Sequence, residues 1–561
     1  MPTYLRYCII VLAGSLLFIP FLGHVHLFDW DEINFAECAR EMIVSKDYLR
    51  SQIDFMPFWE KPPLFIWMQV LAMKMFGVGE FAARFPNAII GVVTLVTLFY
   101  AGKKVVNEKM ASWWVLLYVA TWLPHFYFKS GIIDPTFNLF IFLAFFQVYL
   151  LGSPGRKTVH ALLAGLFLGL AVLTKGPAAI LVAGLSFAVY LVINKGLNGY
   201  KVGHLLLIAV CATVPMLLWL TTAVLVNGTA YGQWFIHEFI TYQARLFSTE
   251  DADHGGPFFY HFIVLLIGCF PASIFLFQYI RKRARTTVTT IDFTKWMWVL
   301  FWVVLILFSI VKTKIVHYSS LCYFPLTYLA ALQLHQLNNG GTLKRWAGGI
   351  YLFVGSLVAL LIAALPAIGI NKVKLVPYIA DPFAVGNLAA NVTWSYAECA
   401  WGLLYLAVIW AAFFMMRKNF RNGMILLCIV QVAIIQVTVI HFTPKIEAYT
   451  QRSAIDYFEG LQGKDVYIHS LGYKSYATMF YTREQPPTDS NYRSIRADKH
   501  GNDLQPIANE GWLLSGKIDK PAYFICKIQD SAKYVVMPQL SHIGGSNGFV
   551  FYKRDTGVKS K

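Results

Sequence analysis

The chain has 561 residues, of which 57% are hydrophobic and 14% charged, and a mean hydropathy of +0.54. So apolar a composition with so little charge excludes a soluble enzyme of this size and points to a polytopic membrane protein. The net charge of +17 is not a nucleic-acid signature, because the basic residues sit in short clusters between apolar runs, as in cytoplasmic loops. Eight cysteines are scattered, mostly inside apolar runs, without the paired spacing of a zinc site or a disulfide framework.

Apolar runs of roughly 17 to 25 residues, the length that crosses a bilayer, alternate with polar segments along the chain. Residues 5–23 read as a retained first span, since no small-residue cleavage site follows, and Arg6 holds its start in the cytoplasm. Residues 25–84 stay outside. Within them, residues 29–45 predict an amphipathic helix lying in the interface, with Asp29 and Glu32 as its capping box and Ile33, Ala36, Ala39 and Ile43 on one face. Residues 62–76 predict a second juxtamembrane helix, too short to cross.

A second span, residues 85–100, returns to Lys103, Lys104 and Lys109. The third leads out to Lys129, the fourth starts at Asp134 and ends at Arg156 and Lys157, and the fifth and sixth turn outside at Thr174-Lys175-Gly176-Pro177. The seventh, residues 205–225, precedes an outer loop, residues 226–257. The eighth returns to the basic cluster at 281–285, the ninth and tenth turn outside at 312–318, and the last three turn inside at Arg417, Lys418 and Arg421. About thirteen spans result, with a cytoplasmic N-terminus and every basic cluster on the inner side. Residues 1–442 thus form a membrane domain. Residues 443–561 change in composition and predict a small outer α/β domain with strand-like runs at 465–469, 522–526, 534–537 and 548–552. It carries no catalytic motif and reads as a recognition or lid domain.

Parity places the chain's polar residues on one side. Asp31, Glu32, Glu60, Lys61, Asp134 and Lys175 are all outside. So are the loop bearing His237, Glu238, Arg245, Asp251, Asp253 and His254, and the turn bearing Lys312, Lys314, His317 and Tyr318. Each has an ordinary alternative. Glu32 and Asp134 suit helix caps, Lys129 and Lys175 suit snorkelling to headgroups, and His254-Gly255-Gly256-Pro257 suits a flexible turn. His237 and Glu238 are adjacent, so a helix would not point them at one metal. What distinguishes the set is that both signs of charge gather on one face while the spans carry almost no ionisable residue. A transporter or proton pump needs such residues near the midplane. An enzyme working on a phosphate-bearing lipid at the interface needs cations for the phosphate, a carboxylate near the reacting centre and a groove for the tail.

These residues also carry a resemblance. Asp31-Glu32 followed by Ala36-Glu37 and Ala39-Arg40-Glu41-Met42, then Glu60-Lys61-Pro62, Asp134-Pro135, Thr174-Lys175-Gly176 and Lys312-Thr313-Lys314, resemble the protein O-mannosyltransferase superfamily of integral-membrane glycosyltransferases. The closer likeness is to its bacterial branch, typified by lipid A 4-amino-4-deoxy-L-arabinose transferase, over about residues 1–440. The resemblance implies a GT-C fold of thirteen spans, Asp31 as the catalytic aspartate and Asp134 as a second active-site carboxylate. Lys61, Lys175, Arg245 and Tyr318 would bind the donor phosphate, with Glu32, Glu60, Lys312, Lys314 and His254 elsewhere in the cavity. Glu60 matches a position that can take a divalent metal, but the histidine expected near Arg245 is replaced by Thr241-Tyr242, and no cofactor is otherwise required. The implied partners are a polyprenyl-phosphate-linked sugar, a glycolipid or protein acceptor and membrane lipid, with no nucleic acid. The implied place is the bacterial cytoplasmic membrane, with residues 443–561 in the periplasm. Inverting transfer to lipid A or another envelope glycolipid is the expected reaction. A protein O-glycosyltransferase of the same fold and a lipid flippase or transporter stay open as other readings.

Overall fold

Among the described residues, eight helices are long and apolar enough to cross a membrane: Glu80–Val105, Asp134–Leu151, Lys157–Lys175, Val202–Asn227, Asp292–Ile310, Arg345–Ile370, Tyr396–Lys418 and Phe420–Glu447. They come from a computed structural model, which describes residues 2–153, 155–197, 199–245, 255–281, 288–497 and 504–557. Shorter helices stand at the other expected spans: Thr3–Phe18, Ala178–Asn194 and Tyr323–Asn338, and two interrupted pairs. In the first pair Glu108–Val119 is followed by Trp122–Tyr127; in the second, Tyr260–Gly268 gives way to Ala272–Arg281 at Pro271, whose ring cannot continue the hydrogen-bond ladder.

The membrane helices pack through aromatic rings and small residues. Trp114 stands edge-on to Phe142 and Tyr328 and donates from its indole N–H to the Thr327 hydroxyl at 3.0 Å, so its one polar atom is satisfied in the core. At Gly169 a Cβ would lie 2.7 Å from the Ala212 carbonyl and 2.8 Å from Pro215. Only glycine admits that approach of Lys157–Lys175 to Val202–Asn227.

The first outer loop differs from expectation in two respects. Its helix, Asp31–Ser45, has no exposed polar face: every residue from Glu32 to Met42 is buried. Its polar residues satisfy one another, with Arg40 donating to both Glu37 carboxylate oxygens at 2.6 and 2.7 Å and Glu41 accepting from the Asp54 and Phe55 backbone N–H groups. Nor does the capping box form. Glu32 does accept from a backbone N–H, that of Phe28 at 2.9 Å, but Asp29 turns away to Ser475 and Tyr476. The second helix, Leu64–Phe76, lies beside the first as expected.

Past the last span, a sheet runs in the order Tyr467–Leu471, Ala522–Lys527, Phe549–Arg554, Ser541–Ser546; its first pair is parallel and the others antiparallel. The run at 534–537 is not a strand. Ala532–Val535 is helical, and Val535 and Val536 are exposed, so its β-branched residues have no second layer to face. One apolar core joins the two outer regions. Ile33, Ala36 and Met42 of the first outer helix and Ile66 and Met73 of the second pack with Ile455, Phe458, Phe480, Ile525 and Phe549.

Candidate active site

Asp31 opens its helix and points outward, its side chain 40% exposed, while the next residue turns into the protein. Glu32 is 5% exposed and pairs through both oxygens with Arg84, at 2.8 and 3.0 Å. Arg84 also donates to the carbonyls of Leu22, Val25 and His26. Burial alone would raise the Glu32 carboxyl, but Arg84 and the N–H groups of Phe28 and Gly131 together hold it below the ordinary range. The Gly131 N–H bond, 2.5 Å, fastens the loop before Asp134 to the helix of Asp31. Asn87 secures the same loop by donating to the Ser130 and Ile132 carbonyls at 2.7 and 2.6 Å. Glu32 is therefore a support for two carboxylates rather than a group of the cavity.

Asp134 is 2% exposed at the start of its helix, with Pro135 following. The Lys175 ammonium reaches it at 2.6 Å and stands 5.3 Å from the Tyr318 ring centroid. Lys175 is the last residue of its helix. The turn beyond it needs Gly176, at φ 82°. His317 completes the group: its Nε2 lies 3.3 Å from an Asp31 oxygen and 3.8 Å from an Asp134 oxygen. The turn carrying His317 and Tyr318 is itself paired with the far end of the long outer loop, through a bridge of Thr313 with Gly255.

These groups border a cavity of about 950 Å³. Lys61, Asp134, Lys175 and Tyr318 line it at one end, and Leu181, Val182, Leu307, Phe308 and Leu321 form its apolar wall. Lys61 lies 5.4 Å from the Tyr242 ring centroid. The backbone carrying Lys61 is tied to helix Thr229–Arg245, since Gln243 donates to the Glu60 carbonyl at 3.1 Å.

Other expected members of the site take different places. Lys314 sits beneath the cavity's rim and donates to the carbonyls of Phe308, Ser309 and Val311, closing the end of its preceding helix. Lys312 is exposed and does not line the cavity. Lys129 does not snorkel outward but donates to the Pro20 carbonyl at 2.8 Å. Arg245 ends its helix, but its side chain, like Asp251, Asp253 and His254, lies outside the described residues. The Glu60 carboxylate accepts from the Tyr242 hydroxyl at 3.1 Å, and among the described residues no three His, Cys, Asp or Glu side chains converge. His317 and Gln243 gain their importance only from the fold. The first had one sequence signal, its place beside Tyr318 in the outer turn; the second had none.

Residues 60–219 match the dolichyl-phosphate-mannose-protein mannosyltransferase family. Over its full length the chain superposes on ArnT from Cupriavidus metallidurans bound to undecaprenyl phosphate, with a TM-score of 0.76, 18% identity and complete coverage of both chains. The fold is of the GT-C type. An oligosaccharyltransferase from Archaeoglobus fulgidus shares it more distantly, with a TM-score of 0.53 at 12% identity over 95% of this chain and 71% of that one.

In sequence the chain resembles undecaprenyl phosphate-alpha-4-amino-4-deoxy-L-arabinose arabinosyl transferases. It is 28% identical to that of Edwardsiella ictaluri over 65% of its own length and 27% identical to that of Pectobacterium carotovorum over 72%. The match spans 64% of the Edwardsiella protein, just under two-thirds of it, and 74% of the Pectobacterium protein.

Proposed function

We propose that this GT-C protein transfers a sugar from a polyprenyl phosphate to an envelope glycolipid, lipid A foremost, at the outer face of a bacterial cytoplasmic membrane. The observation that carries the reading is the cavity itself, where Lys61 and Lys175 stand over an apolar wall and Asp134 lies 3.8 Å from His317, which in turn meets Asp31. The names of the relatives support undecaprenyl phosphate as the carrier and an aminopentose as the sugar. The assignment of thirteen crossings, residues 1–442 as membrane domain and residues 443–561 as a periplasmic domain rests on the short and interrupted helices that occupy the remaining expected spans.

In this reading the lipid tail lies along Leu181, Val182, Leu307 and Phe308, and the phosphate sits between Lys61 and Lys175. The glycosidic bond breaks toward that phosphate, and fixed cations in a low-dielectric pocket stabilise the charge that gathers on it. Asp134 orients Lys175 without leaving the pair exposed to water. Asp31, the most open carboxylate of the group, faces the acceptor, and His317 lies within reach to take the proton that an acceptor hydroxyl loses. Attack from the side opposite the phosphate inverts the anomeric centre.

Purified full-length protein in proteoliposomes, given a radiolabelled undecaprenyl-phosphate aminopentose and lipid A, tests this. Labelled lipid A that is lost in Lys61→Ala is the expected result. Movement of the donor lipid across the bilayer with no glycosylated product would overturn the reading.

A further inference from the structure

The helices Arg345–Ile370, Tyr396–Lys418 and Phe420–Glu447 follow one another as spans, so the connection 371–395 and everything beyond Glu447 emerge at the same face of the bilayer. The connection opens with a turn, Lys372–Tyr378, that buries none of its residues. Val373 is 74% exposed and Tyr378 87%, and Leu375 between them is exposed as well. Apolar side chains bared in a row at the end of a membrane helix mark a segment lying in the interface.

From there the chain reaches the region beyond the last span. Helix Pro382–Leu388 packs on the turn Ile528–Asp530, and Phe383 stands edge-on to Phe549 at 4.9 Å. At Gly386 a Cβ would lie 2.4 Å from the Gly548 Cα, so the two backbones touch. Beside this contact runs the segment 534–537. Tyr534 faces inward, its ring centroid 6.5 Å from that of Tyr552, which leaves Val535 and Val536 outward, 61% and 75% exposed, with Ile528 exposed on the adjoining turn. Nothing among the described residues covers them.

Charge distinguishes what can. Segments 371–388 and 527–536 carry Lys372, Lys374, Lys527 and Lys533 against Asp381 and Asp530 alone. Both aspartates are engaged within the protein: Asp381 accepts from the Phe383 N–H at 2.9 Å, and Asp530 meets Lys533 at 2.6 Å. Bared apolar side chains with a basic excess, set beside the end of a span, match a headgroup layer that contains anionic lipid.

We propose that Ile528, Val535 and Val536 dock the region beyond the last span onto the bilayer, beside Val373, Leu375 and Tyr378, with Lys374 and Lys533 taking anionic phospholipid headgroups. That region is then held from two sides, by the first outer loop and by lipid.

Nitroxide labels on the full-length protein in proteoliposomes test this. The background has serine at Cys8, Cys211 and Cys399, the cysteines that are not buried. Tyr378→Cys and Val536→Cys place the label in the contact, and Lys464→Cys places it at an exposed position elsewhere beyond the last span. In vesicles of phosphatidylethanolamine and phosphatidylglycerol, labels at 378 and 536 should collide more with oxygen than with a water-soluble nickel chelate, and the label at 464 should do the reverse. Replacing phosphatidylglycerol by phosphatidylcholine should raise nickel access at 536 about threefold, and Lys374→Gln combined with Lys533→Gln should do the same in the anionic vesicles. Nickel access at 536 equal to that at 464 overturns the proposal, as does immersion that ignores both lipid charge and the lysines. Dipolar broadening at 536 that grows with protein density would place a second copy of the chain on this face and would overturn it too.

Discussion

Arg84 and Glu32 are paired at 2.8 Å, both 5% exposed, directly behind Asp31. Removing one partner of such a pair strands the other's charge, at a cost of about 3–5 kcal/mol. Arg84→Met should therefore lower the thermal midpoint of the detergent-solubilised protein far more than Asp31→Asn does. Arg84→Lys should not rescue it, because one ammonium cannot reproduce the fork that spans Glu32 and three carbonyls. A midpoint for Arg84→Met within a degree or two of wild type would refute the support role.

His317 touches both carboxylates of the site. If it accepts the acceptor's proton, His317→Ala should reduce kcat by about 10²- to 10⁴-fold with donor KM nearly unchanged. A loss smaller than about threefold would leave Asp31 as the base on its own.

Lys175 and Asp134 form one unit. Their effects on the Kd for undecaprenyl phosphate should be non-additive, with a coupling of about 0.5–3 kcal/mol across the Lys175→Ala, Asp134→Asn double-mutant cycle. Strict additivity would mean that Lys175 holds the phosphate without help from Asp134.

The acceptor decides how much Asp31 matters. A phosphate acceptor whose second pKa is near 6 is already ionised at neutral pH, so Asp31→Asn should keep substantial activity on it and lose most activity on a hydroxyl acceptor. Assays of the purified variant on both acceptor types check this, and equal losses would contradict it.

The contacts between the first outer loop and the region beyond the last span respond to pH in one direction. Burial pushes the Asp29 carboxyl up to about 6 against the bonds from Ser475 and Tyr476, and Glu484 rises to about 8. Burial disfavours charge on His26, but its bond to Glu447 outweighs this and raises it. Each raised group binds protons more tightly in the folded state, so its stabilisation is full below its unfolded value and lost as pH rises through its folded one. The windows run from 3.8 to about 6 for Asp29, from 4.5 to about 8 for Glu484, and upward from 6.5 for His26. Protection factors of the backbone amides around residues 26–30 and 473–484, taken relative to the base-catalysed intrinsic rate at each pH, should therefore be higher at pH 6 than at pH 8.5, and Glu484→Gln should flatten the dependence. Lower protection at pH 6 would contradict it.

Hydropathy made the membrane helices legible, and charge parity grouped Asp31, Lys61, Asp134 and Lys175, because both signals are local and additive along the chain. What stayed hidden depends on contacts between distant segments. Ile33, Ala36, Ala39 and Ile43 share a face of their helix, but nothing in its own sequence reveals that the opposite face, with Glu37 and Glu41, is buried too. The run at 534–537 is rich in β-branched and aromatic residues like a strand, and only the packing around it decides otherwise. Lys314 and Lys175 look alike as outer-turn lysines. One is consumed by helix-end carbonyls and the other by a carboxylate in the cavity, a difference set by a few ångströms of backbone.

The segment leading into Asp31 is held from the far end of the chain. The Leu27 N–H donates to the Tyr481 hydroxyl at 2.7 Å across 454 residues, and Gln451 returns a bond to the Leu27 carbonyl at 2.7 Å. A ribosome must therefore finish every membrane helix and pass Tyr481 before Asp31 has its backing. The contacts that hold this segment form only when synthesis is nearly complete, and a chain cut short after its last span would lack them.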